Sequence, residues 1–462
     1  MMVAFSYREA DDKSCRSYRW TTAFSLSLLL LFLPGTLFAD PPQTLTLTEG
    51  IRTTLKNHPA LKAAGYALNA ADEAVREARG GFLPRIDLSE TFNRTTGPGE
   101  VFWTELSQER FSLSDFAATN PNDPDAISNY NTQVTLVQPL YTGGKLSAGY
   151  QISKLQRGAV EKKREQTRQQ VIREFTTAYY RALLAGRYVK VAEKAKAAVE
   201  AHVKMARDLL EQGMVLRSDL LRAQVRLSEV ESRLITAKNQ RKLALANLNR
   251  IMGVDQGRDY QLVDQEKTTP SPPEEELPQL IREAEAHRPD LAGLKRMKEA
   301  AEKGVTVARS AFLPHINLVA RYDRNDRDFL GSDGEYWSVM AVAGINLFEG
   351  LSGRARVRRA RADAARMSSL VTRAEEGIEM EVRKAYLNMK EAGARLEVAR
   401  RTVAMSEAGM KIVEDRYRNG MGRITELLDT EASLTRARTD EARARYDLNL
   451  SRTHLDFALG RL

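Results

Sequence analysis

Cysteine is all but missing from these 462 residues: Cys15 stands alone near the start. A disulfide within one chain is therefore impossible, and paired-thiol redox or metal chemistry goes with it. Histidine is sparse too. Five residues lie scattered at His58, His202, His287, His315 and His454, with no His-Glu-x-x-His among them. That leaves no motif from which to argue a catalytic residue, a bound cofactor or a metal site. Gly143-Gly144-Lys145-Leu146-Ser147 has the glycines and lysine of a phosphate loop, but neither its upstream glycine nor its Lys-Ser/Thr pair. A helix able to cross a bilayer is also lacking. The one strongly apolar run, Ala23 to Leu33, has about eleven residues where about 20 are needed. Blocks of one charge are absent although the net charge is +9. Arg alternates with Glu along the chain, which argues against a nucleic-acid surface and for solvated helix faces carrying i,i+4 pairs.

The short apolar run has a use of its own. Arg16 and Arg19 precede it, and Pro34-Gly35 and then Leu37-Phe38-Ala39 follow. A basic start, a short apolar core and a small residue at the end describe a secretory signal peptide, expected over residues 1–39. An uncleaved membrane anchor is the alternative. Cys15 precedes the run and so cannot be a lipoprotein's lipid-bearing cysteine. Residues 1–39 hold four basic and three acidic side chains, so their removal leaves a charge of +8 and no cysteine at all.

What is present in abundance is repetition. Pro59 and Leu61 recur as Pro289 and Leu291, and Phe82-Leu83-Pro84 as Phe312-Leu313-Pro314, both offset by 230. Further on, Leu140-Tyr141-x-Gly143 recurs as Leu347-Phe348-x-Gly350, Ala178-Tyr179 as Ala385-Tyr386, Gly213-Met214 as Gly420-Met421, and Gly253 as Gly460. All four are offset by 207. The chain is one unit written twice, with 23 extra residues in the first copy between Pro84 and Leu140. An insertion confined to one segment marks a loop. We expect repeat 1 over 40–253, a linker rich in Pro, Gly and acid over 254–276, and repeat 2 over 277–462.

Within each copy the hydrophobic period changes. Residues 59–80 and 289–310 are Ala- and Glu-rich without internal proline, and read as helix; Pro84 and Pro314 follow their ends. Past each proline the period becomes two, the mark of a strand: Ile86, Leu88 and Phe92 in the first copy, Ile316, Leu318, Ala320 and Tyr322 in the second. Strands are expected near 84–94, 129–140, 315–324 and 336–347, with Trp337, Val339, Ala341, Ala343 and Ile345 lining one face of the last. Strands of about ten residues cross a bilayer when tilted. Tyr130, Tyr141, Tyr322, Trp337 and Phe348 fall near strand ends, where an interfacial girdle would place them. A soluble sheet with one buried face is the alternative.

Long proline-free runs follow, 146–212 and 353–419, each of 67 residues and so ~100 Å as helix. Gly213 and Gly420 sit where a helix C-terminus favours a left-handed residue, and Ser218 and Thr425 are candidate N-caps for the next helices. Those helices, 218–252 and 425–460, carry a heptad seam. Leu220, Ala223, Leu227, Val230, Leu234 and Ala237 run along the first, and Leu427, Thr430, Leu434, Ala437, Ala444 and Leu448 along the second. A 3.5-residue period held this long is that of a left-handed coiled coil. The fold class is therefore mainly α with a small β part: long antiparallel coiled-coil hairpins in two structural repeats, with four strands. Four strands cannot close a membrane barrel, so if they enter lipid, several copies must pool them. A periplasmic coiled-coil adaptor and a structural coiled coil are the competing classes; the first should show all-β flanks, and the second has no use for amphipathic strands.

The paired Phe-Leu-Pro turns, Leu-Tyr/Phe-x-Gly exits, Ala-Tyr pairs and Gly-Met tips together resemble the outer membrane efflux protein family, the TolC-like channels, over about residues 44–461. The resemblance implies a homotrimer in the bacterial outer membrane. Its twelve-stranded transmembrane β-barrel would continue into an α-helical tunnel across the periplasm, meeting a periplasmic adaptor protein and an inner-membrane transporter for efflux or type I secretion. It implies adaptor contact at the tips, Gly213, Met214, Gly420 and Met421, and a periplasmic gate nearby. The family's gate tyrosine falls at Tyr417 (Tyr417-x-x-Gly420), its partner aspartate at Asp219, and its acidic ring at Glu426 and Asp429. The family's gate arginine falls on Gly422, with Arg423 one place on, a departure at the inter-protomer salt bridge. From the residues alone, Asp219 and Glu426 are equally well read as acids favoured in a first helical turn by the macrodipole.

Overall fold

A computed structural model describes residues 43–118, 120–264 and 276–462. The expected signal peptide and residues 265–275 of the expected linker lie outside these residues. Repeat 1 comprises β1 (Gln43–Leu45), α1 (Leu47–Asn57), α2 (Pro59–Gly80), β2 (Arg85–Thr95), α3 (Pro98–Ser107), α4 (Leu113–Ala118), β3 (Ile127–Tyr141), α5 (Lys145–Glu211) and α6 (Arg217–Met252). After β4 (Tyr260–Leu262), the second copy runs α7 (Leu277–His287), α8 (Pro289–Arg309), β5 (His315–Asp326), β6 (Gly334–Gly344), α9 (Ser352–Arg418) and α10 (Ile424–Leu459).

Local chemistry accounts for the element ends. α1 opens on a capping box, Thr46 Oγ1 accepting from the Glu49 amide and Glu49 accepting from the Thr46 amide, each at 3.2 Å. Pro59 and Pro289 open α2 and α8, where a missing N–H removes no helical bond. α5 and α9 each span 67 residues and end in the same motif. The amides of Gly213 and Met214 donate to the carbonyls of Leu210 and Leu209, each at 2.9 Å, while those of Gly420 and Met421 donate to Tyr417 and Arg416 at 3.0 and 2.9 Å. Both glycines are left-handed, at φ +73° and +72°. This is the Schellman turn, which satisfies two orphan carbonyls and requires the positive φ that glycine adopts freely.

Four strands form one antiparallel sheet in the order β2-β3-β5-β6, so the two hairpins join through β3 and β5 and the edges are β2 and β6. The register sorts side chains by face, because directly opposed residues share one. Ile86, Leu136, Ala320 and Val339 form one cross-strand row, and Leu88, Val134, Tyr322 and Trp337 the next. On the reverse face lie Asn129, Asn131, Gln133, Asp323 and Asn325. The Asn129 amide donates to Asn325 at 2.9 Å and the Gln133 amide to Asp323 at 2.7 Å. One face is apolar and uncovered, with Leu88 71% and Trp337 74% exposed; the other is a hydrogen-bonded polar lining.

The helices continue that order. α5 packs between α2 and α8, and α8 between α5 and α9, so the row α2-α5-α8-α9 matches the row of strands these helices adjoin. Toward the other end α5 pairs with α6, α9 with α10, and α5 with α10 across the repeats. The seam packs as the heptads dictate. Ala223, Val230 and Ala237 are buried on α6, and Leu427, Leu434, Ala437, Ala444 and Leu448 on α10.

Several expectations need correction. β6 stops at Gly344, so Ile345 is not part of its face; its partner strand begins at His315, after Pro314, which has no N–H to extend the ladder. The expected linker contains β4, which pairs in parallel with β1. The extra segment of repeat 1 is not bare loop: it forms α3 and α4, with Val101 buried and Phe102 against Phe111 at 5.2 Å between centroids. Ser218 and Thr425 do not cap. The N-cap residues are Leu216 and Arg423, without a side-chain cap bond, because each helix begins directly after the extended residue that leaves the turn.

Candidate functional site

Two regions of the molecule are built for work: the helical tips, and the sheet with its uncovered apolar face. At the tips the chain reverses within five residues, from Glu211 to Arg217 and from Arg418 to Ile424. The turn leaves Met214 and Met421 more than half exposed, with Leu216 beside Met214 equally open. Gly213 faces open space, whereas a Cβ at Gly420 would come 3.0 Å from the Met214 methyl, so the two tips lie side by side.

Behind the tips, a cluster of Val203, Leu209, Ala223, Met410, Ile424, Leu427 and Leu434 draws on all four long helices, and Tyr417 is buried in it at 1% exposure. Its hydroxyl has no hydrogen-bond partner among the described residues. Burial pushes its pKa up, and the nearby charge of Asp219 adds to the rise. Tyr417 and Asp219 are thus neighbours, but the hydroxyl–carboxylate bond that the resemblance implies is not made. Asp219 is the third residue of α6 and Glu426 the third of α10, both in first turns where a negative charge is favoured by about 0.3–1 kcal/mol.

Arg423, Glu426 and Asp429 do come together, lining a groove of about 660 Å³ with Arg416, Met421 and Thr430. The contact inside it is one that sequence reasoning missed: Arg416 Nη1 lies 3.2 Å from Glu426 Oε1. Arg416 is ten residues from Glu426 across the tip, and only the turn geometry reveals that the two meet. Arg423 has no carboxylate within ion-pair distance among the described residues; its carbonyl accepts from the Leu427 amide at 3.2 Å. Among the described residues, no group of three or more His, Cys, Asp or Glu side chains is placed to hold a metal ion.

The repeated Ala-Tyr pair has a structural job in the first copy. The Tyr179 hydroxyl lies 2.9 Å from the Leu45 carbonyl and 2.8 Å from that of Val263, tying α5 to the β1–β4 pair. Burial pushes its pKa up to about 12. Close by, the Tyr446 hydroxyl of α10 donates to Asp264 at 2.6 Å.

Comparison with known proteins draws these parts together. The family model for the outer membrane efflux protein matches residues 50–254 and 280–461. Protein CyaE of Bordetella pertussis is 26% identical over 407 residues, 87% of this chain and 81% of that one. Outer membrane protein TolC of Escherichia coli is 21% identical, over 94% of this chain and 86% of its own length. Among solved structures, the outer membrane protein VceC from Vibrio cholerae superposes with a TM-score of 0.75 at 18% identity, covering 90% of this chain and 96% of that one. An open sheet with one lipid-compatible face, continued into long paired helices, is the architecture of an outer-membrane channel that extends into the periplasm, and this chain belongs to the outer membrane efflux protein family.

Proposed function

We propose that three copies pool their sheets into one twelve-stranded barrel in the outer membrane. In this reading the α5–α6 and α9–α10 hairpins form a periplasmic tunnel narrowed at the Gly213 and Gly420 tips, through which an inner-membrane transporter and its adaptor export cargo by efflux or type I secretion. The observation that carries the reading is the sheet itself. Both its edges, β2 and β6, are unpaired among the described residues while its apolar face is exposed. In lipid each unpaired backbone group costs several kcal/mol, so edge must meet edge. The exposed Met214, Leu216 and Met421 side chains suit docking of an amphipathic adaptor hairpin. Repeats 40–253 and 277–462, joined by 254–276, are the units we assign. Asp219, Tyr417, Arg423, Glu426 and Asp429 are the residues assigned to the tunnel mouth.

The near-absence of native cysteine makes a direct test clean. One cysteine placed in β2 and one in β6, in protein extracted from outer-membrane fractions, should oxidise to covalent trimers. Monomers only, at every pairing register tried, would defeat the pooled barrel.

A further inference from the structure

His202 lies on α5 roughly 15 Å along the helix from the Gly213 turn. It is 3% exposed, and neither ring nitrogen has a hydrogen-bond partner among the described residues. The charged groups acting on it come from two of the other long helices, α9 and α10. Glu414 projects from α9 and Glu431 from α10, while Arg226 of α6 reaches Glu431 at 3.5 Å between Nη2 and Oε2. Glu431 is itself 1% exposed and accepts from Thr435 Oγ1 at 2.7 Å; the Nε of Arg226 is buried without a partner. This is an under-satisfied polar cluster within a coiled-coil core, where such groups are normally paired. It occurs once. The repeat places Gly409 opposite His202 and Gln224 opposite Glu431, so the cluster marks the contact between α5 and α10 and not a feature of each hairpin.

We propose that His202 is a proton-operated release for the junction between the two hairpins: protonation of its ring frees α9–α10 from α5–α6 and opens the periplasmic tip. The inference rests on the channel reading and adds a regulator to it. Its sign follows from the surroundings. Burial holds the His202 pKa below the ordinary 6.5, and the attraction of Glu414 and Glu431 offsets only part of that. Once the hairpins part, water reaches the ring and its ordinary affinity for protons returns. The packed state therefore binds the proton less tightly than the parted state. Its stability is full above the ordinary value and falls as pH drops through the depressed one. In a trimer three such sites act together, which steepens the response.

The test uses the full-length mature protein, purified as the assembled channel in detergent. Backbone hydrogen exchange in peptides covering 195–235 and 405–440, corrected for the intrinsic pH effect, is followed from pH 7.5 to 5.5 alongside conductance in planar bilayers. Both should rise as pH falls, by at most about tenfold per pH unit for each linked proton. His202→Phe, which fills the site without a titrating nitrogen, and His202→Gln, which keeps polarity without titrating, should each flatten the response. If His202→Phe does not fold, His202→Gln decides the matter. Glu431→Gln removes an opposing charge, depresses the packed-state value further, and should extend the response to lower pH and enlarge it. A wild-type response in both His202 variants would overturn the proposal and assign the titration to other groups. Absence of conductance at every pH, with the exchange response intact and His202-dependent, would count against the channel reading and leave the switch standing.

Discussion

Replacing Tyr417 with phenylalanine separates two accounts of the proposed tunnel mouth by sign. If the tyrosine holds the tip closed through a bond to Asp219, deleting its hydroxyl should loosen the tip and raise conductance. The geometry argues the reverse. The ring is 1% exposed among Leu209, Ala223, Ile424 and Leu427, and the hydroxyl meets no partner there. Being enclosed by its own chain, it is not within reach of a neighbouring copy either. A buried hydroxyl left unpaired costs about 1–3 kcal/mol, and phenylalanine keeps the ring contacts while removing that cost. The packed tip should therefore be favoured roughly 5- to 150-fold in Tyr417→Phe relative to wild type. The assay is single-channel conductance together with amide exchange across 405–430. Lower or unchanged conductance with slower exchange is expected. A clear rise in conductance would refute the reasoning and show that the hydroxyl makes a closing bond in the assembled channel.

Other outcomes follow from the same geometry. Gly213→Val and Gly420→Val force a β-branched residue to φ above +70°, at about 1–2 kcal/mol each; export should fall while detergent-stable trimers persist. Gly50→Ala would place a Cβ 2.1 Å from the Phe175 ring, where neither the α1 backbone nor the enclosed ring can yield cheaply. Overpacking of this kind costs about 1–3 kcal/mol, so thermal unfolding should begin at a lower temperature. Leu351 holds φ +67° at the head of α9, where the first copy has Gly144; Leu351→Gly should stabilise by up to about 1 kcal/mol, read as a higher melting temperature. Glu426→Gln combined with Asp429→Asn removes two carboxylates from the groove at the mouth, and cation selectivity in planar bilayers should weaken.

Long-range order in this fold is legible in the sequence because it rests on periodicity and duplication. Heptads spaced from Leu220 to Ala237 need no tertiary knowledge to be read, and alternation at Ile86, Leu88 and Phe92 names the lipid-compatible face before any sheet is assembled. The glycines at the tips are equally readable, since a Schellman turn has few other solutions. Short elements are less legible. β1 and β4, of three residues each, exist only because they pair with one another 217 positions apart, and nothing local announces them. The caps at Ser218 and Thr425 were misplaced because residue type suggests a cap, whereas the backbone decides where the turn ends. At the tips, the family resemblance pairs Tyr417 with Asp219 but does not reveal that their polar atoms fail to bond. Arg416–Glu426, His202 and Arg226–Glu431 depend on which helix faces which, and that is settled only by packing.

One feature of the wall bears on how the channel comes into being. Strands and helices run in the same lateral order, so the two flanks of a copy, β2 with α2 and β6 with α9, are each a single stave reaching from membrane to periplasm. A joining copy must therefore zip along its whole height, sealing lipid-facing and water-facing parts in one motion. A pair of copies leaves a slot open along the full length, with raw backbone in the hydrocarbon. In the proposed trimer, ring closure by the third copy would remove both liabilities at once, making the dimer a transient and the assembly nearly all-or-none. Damage confined to one flank, even far from the bilayer, should then be felt as a failure of membrane insertion.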